Sequence, residues 1–185
     1  MSAGKFTRIL EGFRSGDSHS EALLIEMVYK DLRRMASRHL AGQRMSTLNT
    51  TSLISESYLR LVSPAARRVE SKDHFFYLAS RIMRQIVIDH ARARIRATEH
   101  VDRAADASEA LERQNTVNEA QQLIKIDEAL NDLAKENERQ ARVVECRFFS
   151  GLTEEETARA LETSLRTVQR EWDRAREWLR SHLEA

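Results

Sequence analysis

The chain has 185 residues with 5 glycines, 1 proline and a formal charge of +1, so it is long enough for one large or two small domains in which helices dominate. Charged residues make up 32% and hydrophobic residues 41%, so a nucleic-acid surface must come from segregated charge rather than from an overall excess. The single cysteine, Cys146, excludes an intrachain disulfide and a paired-cysteine zinc site. No apolar run approaches the roughly 18 residues of a membrane span, and no leader pattern is present, which sets the expectation of a soluble, cytoplasmic protein.

In chain order, Phe6, Ile9, Leu10 and Phe13 predict a short helix stopped near Ser15-Gly16. A longer helix, about Ser18 to Leu40, carries Leu24, Val28, Leu32, Met35 and His39 or Leu40 on one side, with Gly42 as a stop signal. A third, about Thr51 to Val62, turns Ile54, Tyr58, Leu61 and Val62 inward and ends at Pro64. Ser63 to Asp73 reads as a loop with Arg67, Arg68 and Lys72.

Ser71 or Asp73 then caps a long helix to about Ala97. Phe75 or Phe76, Ala79, Ile82 or Met83, Ile86 and His90 form its buried face, and Arg84, Arg92, Arg94 and Arg96 crowd its far end against Asp89. The run Phe75-Phe76-Tyr77 beside arginines suits stacking on unpaired bases, although core packing is the better account of at least one of Phe75 and Phe76. From Thr98 to Ala120 the composition turns acidic (Glu99, Asp102, Asp106, Glu109, Glu112, Glu119) and apolar periodicity fades, which predicts an interdomain linker, partly helical.

From Gln121, Leu123, Ile126, Leu130 and Leu133 predict one helix, and Ala141, Val144 and Phe148 a second, with Gly151 just past its end. Cys146 falls in that apolar run and is expected in the core. Gly151 to Leu179 predicts two helices joined by a three-residue turn. Thr153 with Glu156 forms a capping box for the first, whose Ala158 and Leu161 face inward. Ser164 caps the second, where Leu165, Val168, Trp172, Ala175 and Leu179 make one apolar stripe. Arg166, Gln169, Arg170, Asp173 and Arg174 fall on the other face. A helix fixed on one side that presents arginines and an amide on the other is what major-groove readout needs. A hairpin with a merely solvated polar face has the same periodicity, but the short turn, the two caps and the clustered arginines weigh against it.

The six histidines show no metal-ligand spacing, and no catalytic or phosphate-cradling motif is present, so neither a metal nor a cofactor nor an active site is expected. His90 on an apolar stripe reads most simply as a core histidine.

Taken together, the chain resembles the extracytoplasmic-function sigma factors, small two-domain members of the sigma-70 family. Leu53 to Leu61, followed by Phe75 to Arg94, is similar to the family's core-binding and −10-melting domain. Gly151 to Leu179 is similar to its −35-binding helix-turn-helix, with Thr167-Val168-Gln169-Arg170 and Arg174-Ala175-Arg176 at the recognition helix. The resemblance implies an all-α fold of two small helical domains, residues 1–97 and 121–185, joined by an acidic linker at 98–120. It implies binding to core RNA polymerase through Ser52, Ser55 and Glu56 on the clamp and through the second domain near the flap. It implies −10 contacts by Arg67, Arg68, Lys72, His74, Phe75, Arg81, Arg84, Gln85 and Arg92, and −35 contacts by Ser164, Arg166, Thr167, Gln169, Arg170 and Arg174. Promoter DNA is then a partner, and the polymerase supplies the chemistry. An anti-sigma protein is a common family partner, but no residue here marks its site. A dimeric helix-turn-helix regulator independent of polymerase is the competing reading, and a helical adaptor a third.

Three positions depart from the family's usual residues. Thr51-Ser52 stands where an acidic pair is common, which implies a variant clamp surface. Gln85 stands where the melting helix often has Asn. Glu162 stands where the turn usually has Gly, and is expected either to adopt a left-handed conformation at a cost on the order of 1 kcal/mol or to alter the turn slightly.

Overall fold

Every regular element among the described residues is helical. The computed structural model describes residues 3–41, 48–63, 68–99 and 107–184. Helix α1 (Ala3–Ser15) ends at Gly16, whose φ of 83° only glycine adopts without cost, and α2 (Ser18–His39) folds back along it. Asp17 caps α2 by accepting from the Ser20 amide at 2.9 Å. The two helices meet closely at Gly12, where a Cβ would lie 2.0 Å from Ser20 Oγ. Helix α3 (Thr50–Leu61) starts at Asn49, which caps the Ser52 amide at 2.9 Å. Gly42, Pro64 and Arg67 lie outside the described residues.

Helix α4 (Lys72–Glu99) is the spine. Its Phe75, Phe76, Ala79, Met83, Ile86 and Val87 close the core formed with Phe13, Leu24, Val28, Leu32, Leu53 and Leu61. Phe75 is fully buried, edge-on to Phe13 with ring centroids 6.4 Å apart. The expected base contact by Phe75 is therefore corrected to core packing: its ring is already surrounded by apolar side chains.

Helix α5 (Ala107–Glu136) begins well before Gln121, so residues 107–120 of the expected linker are helical. Ala110, Leu111, Glu112 and Gln114 are good helix formers, and propensity carries the helix where one-sided periodicity is weak. Helix α6 (Glu138–Val144) continues into a π-helical segment (Glu145–Ser150) that ends at Gly151 with φ 66°. The wider π turn changes which side chains face inward. Phe149 stacks on His39 (centroids 5.2 Å), while Phe148, expected inside, is 64% exposed. Helices α7 (Glu154–Ala160) and α8 (Leu165–Glu184) follow.

Two smaller clusters hold the C-terminal helices together: Leu130, Leu133, Ala141, Val144 and Ala175 with Trp172 and Trp178, and Val143, Ala158 and Val168 with Leu161. Cys146 and Leu152 instead enter the N-terminal core, so the two groups of helices are packed on each other. Burial pushes the Cys146 thiol up to about 12, as suits the expected core cysteine.

Two stability outcomes follow. Phe75→Ala should cost about 3–5 kcal/mol in denaturant unfolding, the range for emptying a packed aromatic site; a change near zero would return Phe75 to the surface. Burial, followed by the nearby Arg84 charge, lowers the His39 pKa to about 3. The unfolded chain therefore takes up a proton below pH of about 6.5 that the folded chain refuses, and stability falls with decreasing pH, by at most about 1.4 kcal/mol per unit. Urea titrations of His39→Gln should show a flatter decline than the parent between those limits.

Candidate nucleic-acid interface

The helix-turn-helix is built from its caps. Thr153 Oγ1 accepts from the Glu156 amide at 3.1 Å, and Glu156 Oε2 accepts from the Thr153 amide at 2.8 Å, completing the capping box. Helix α7 stops where the Thr163 amide donates to the Ala158 carbonyl at 2.9 Å, which requires the reversal at Glu162. Glu162 has φ 50°, so it takes the left-handed conformation in place of glycine. Ser164 Oγ then accepts from the Thr167 amide at 3.2 Å and pairs with Thr167 Oγ1 at 2.9 Å, starting α8.

Helix α8 buries Val168, Glu171 and Ala175 and partly buries Trp172 and Leu179. Leu165, expected on that stripe, is 38% exposed because it sits at the first helical position, ahead of the packed turns. Glu171 is the unexpected member. Its Oε2 accepts from Gln140 Nε2 of α6 at 3.1 Å, and its Oε1 accepts from Arg170 Nε and Nη2 at 3.1 and 2.8 Å. Its burial opposes ionisation, but the bonds from Arg170 and Gln140 hold the carboxyl below its usual range. The outer face carries Ser164, Arg166, Gln169, Arg170 and Arg174, all exposed, with Thr167 half-buried. Gln169 Nε2 donates to Glu154 Oε2 at 2.8 Å. Arg147 supports the turn from below, donating to the Leu152 carbonyl and to Glu154, both at 3.3 Å, with its guanidinium 5.5 Å from the Trp172 ring centre.

A second basic surface follows α4. Arg68, Arg81, Gln85 and Arg92 are exposed; Lys72 and His74 are partly so. Lys72 Nζ lies 5.6 Å from the Phe76 ring centre, His74 Nδ1 accepts from the Glu70 amide at 3.3 Å, and Arg81 lies 5.9 Å from the Tyr77 ring. Half-buried Tyr77, not Phe75, is the aromatic with a reachable edge. Gln85 Nε2 donates to Asp89 Oδ1 at 2.9 Å. Arg84 differs from its neighbours. Its side chain is only 17% exposed, with Nε 2.9 Å from Glu145 Oε1 and 3.6 Å from Asp127 Oδ1. It is thus turned toward the C-terminal helices, away from any strand lying on the exposed arginines.

On α3, Ser52 Oγ donates to its cap Asn49 at 3.2 Å, Ser55 is exposed, and Glu56 meets His90 Nε2 at 3.1 and 3.2 Å. His90 is therefore a half-exposed partner of a carboxylate rather than the core histidine expected. Leu59, 69% exposed and one turn beyond Ser55, is an apolar surface residue that the sequence reading missed.

The family model for ECF sigma factors matches residues 3–185, and the chain belongs to that family. Its role is that of a DNA-binding sigma factor in transcription initiation, in a family of non-enzymatic regulatory subunits. A search among curated proteins gives no match. Among the described residues no helix is long and apolar enough to cross a membrane.

The turn generates a direct test. Glu162→Gly should relieve a left-handed strain of about 1–2 kcal/mol at an unfolded-state entropy cost of about 0.5–1 kcal/mol, a net gain of roughly 0.5–1 kcal/mol. Calorimetry should show a melting temperature a few degrees higher; a lower one would mean that the glutamate side chain itself stabilises the turn.

Proposed function

We propose that the protein is a dissociable, cytoplasmic sigma subunit that directs core RNA polymerase to promoters by reading two DNA elements. The observation that carries this reading is α8, locked on one side by Val168, Glu171 and Ala175 and presenting Arg166, Arg170 and Arg174 on the other. Residues 121–185 read the −35 element, residues 1–97 bind polymerase and capture the −10 strand, and 98–120 connect them. Arg166 and Arg174 meet guanine edges or phosphates directly. Arg170 is oriented by Glu171, and Gln169 must exchange its bond to Glu154 for a base edge. On α4, Arg68, Lys72, His74, Arg81, Gln85 and Arg92 hold the strand, and Tyr77 offers the stacking surface. Ser55, Glu56 and exposed Leu59 form the clamp-facing side of α3, with Ser52 shaping its first turn.

Specific transcripts should appear only when this protein is added to purified core polymerase on a pool of promoter fragments. No transcript, together with no co-elution with core, would overturn the proposal. Within that assay Arg166→Ala should weaken promoter use by about 1–3 kcal/mol if it pairs with a guanine edge. Gln169→Ala should cost less, because the parent gives up an internal bond to bind. Promoter affinity should fall with salt at a log–log slope of about −0.9 per phosphate contacted.

A further inference from the structure

We propose that Glu171 is a specificity-determining residue of α8: a positioning residue that presets Arg170 to read a guanine, where an untethered arginine would settle on phosphate. The inference rests on the −35 reading proposed for α8, and deepens it by naming the base read and the buried side chain that imposes the choice.

The exposed face of α8 holds two kinds of arginine. Arg166 and Arg174 make no hydrogen bond or ion pair among the described residues and settle only on contact. Arg170, half-exposed, is held at two nitrogens: Nε and Nη2 both donate to Glu171 Oε1, at 3.1 and 2.8 Å. A guanidinium gripped at two nitrogens cannot turn about its last torsions. The grip is itself anchored in the interior. Glu171 is 4% exposed, and its Oε2 accepts from Gln140 Nε2 at 3.1 Å. Gln140 is buried in turn, and its amide donates to the cap Asn137 at 3.2 Å. The surface guanidinium is thus tied through two buried side chains to the start of α6.

The chemistry of the free edge decides what it reads. A guanidinium has five N–H donors and no acceptor; Glu171 takes two of the donors, leaving both on Nη1 and one on Nη2. That edge offers two parallel N–H groups. Guanine presents two adjacent acceptors in the major groove, O6 and N7, and so matches it. Adenine replaces one acceptor with an amino donor, which a group without acceptors cannot meet. An unrestrained arginine reaches phosphate oxygens from many rotamers, and such contacts position the protein without reading sequence. Fixing the side chain before contact removes part of the ordering cost of the base-reading pose alone. A carboxylate placed to neutralise a surface arginine would work as well in solvent; this one is buried, and both its oxygens are engaged in holding the direction of Arg170.

The test uses the full-length protein with core polymerase on promoter fragments whose −35 region is randomised, with the transcribed fragments sequenced. The parent should select guanine at the position Arg170 reads by about 5- to 140-fold over the other bases, the range of one bidentate contact. Arg170→Ala should abolish that selection and leave the salt slope of promoter binding unchanged, because no phosphate contact is lost. Glu171→Gln should lower the selection about tenfold and steepen the slope by up to about 0.9, as the released arginine gains a phosphate. Gln140→Leu/Glu171→Leu replaces both buried partners with apolar side chains, and should give the same two changes with unchanged circular dichroism; it keeps the test decisive should the single change unfold the C-terminal helices. In an Arg170→Ala background neither change at Glu171 should alter base selection at that position. Glu171 variants that weaken every sequence equally would make Glu171 a structural residue only, and an Arg170→Ala slope shallower by about 0.9 would make Arg170 a phosphate contact; either result overturns the proposal. Failure of the sigma assignment shows separately, in the parent protein: with no specific transcript from it, that reading falls and this inference falls with it.

Discussion

A 28-residue helix that is apolar on one side and basic on the other can be packed from both sides only if its cations are neutralised. That constraint shapes this molecule. The apolar side of α4 closes the core with Phe13, Leu24, Leu53 and Leu61. Its basic side meets α5 and the π-helical segment, which bring Asp127 and Glu145 to Arg84 and Arg92. Where the two groups of helices meet, the arginines come from α4 and the acids from the C-terminal helices.

The C-terminal helices solve a related problem at α8. A helix that exposes cations on one face must stay fixed on the other, and here one buried carboxylate serves both ends. Glu171 ties α8 to Gln140 of α6 and restrains Arg170 at the surface. The capping box at Thr153, the cap at Ser164 and Arg147 beneath the turn fix the angle between α7 and α8. Rigidity at this turn is obtained in spite of the unfavourable backbone at Glu162.

Much of this was legible in the sequence, for identifiable reasons. Periodic apolar residues, with stop signals at Gly16, Gly42 and Pro64 and caps at Thr153 and Ser164, gave α1 to α3 and α7 to α8 within a few residues, because local energetics decide such boundaries. The exposed arginine-bearing face of α8 followed from the same periodicity. What was not legible depends on partners distant in sequence. Residues 107–120 have no apolar stripe, yet are helical. Phe75 and Tyr77 are indistinguishable as neighbours, but only the first meets Phe13. Glu145, Asp127 and Glu171 carry no signal in the sequence, and gain their places only where the fold sets Arg84, Arg92 and Gln140 against them. The exposures of Phe148 and Leu165 depend on a π turn and a helix start that periodic spacing does not record.

The π-helical segment also sets a rule for how this chain tolerates insertions and deletions. Six residues there turn with more than the usual number per turn, and Ser150 Oγ closes the segment by donating to the Glu145 carbonyl at 3.1 Å. Loss of one residue with the wide winding kept would rotate everything downstream by about 100°, the angular step of a single helical residue. Phe149 would leave His39, Gly151 would leave Arg38, and α8 would present its arginines in a different direction relative to α4. Between Glu145 and Ser150 the residue count is therefore part of the geometry that relates α4 to α8.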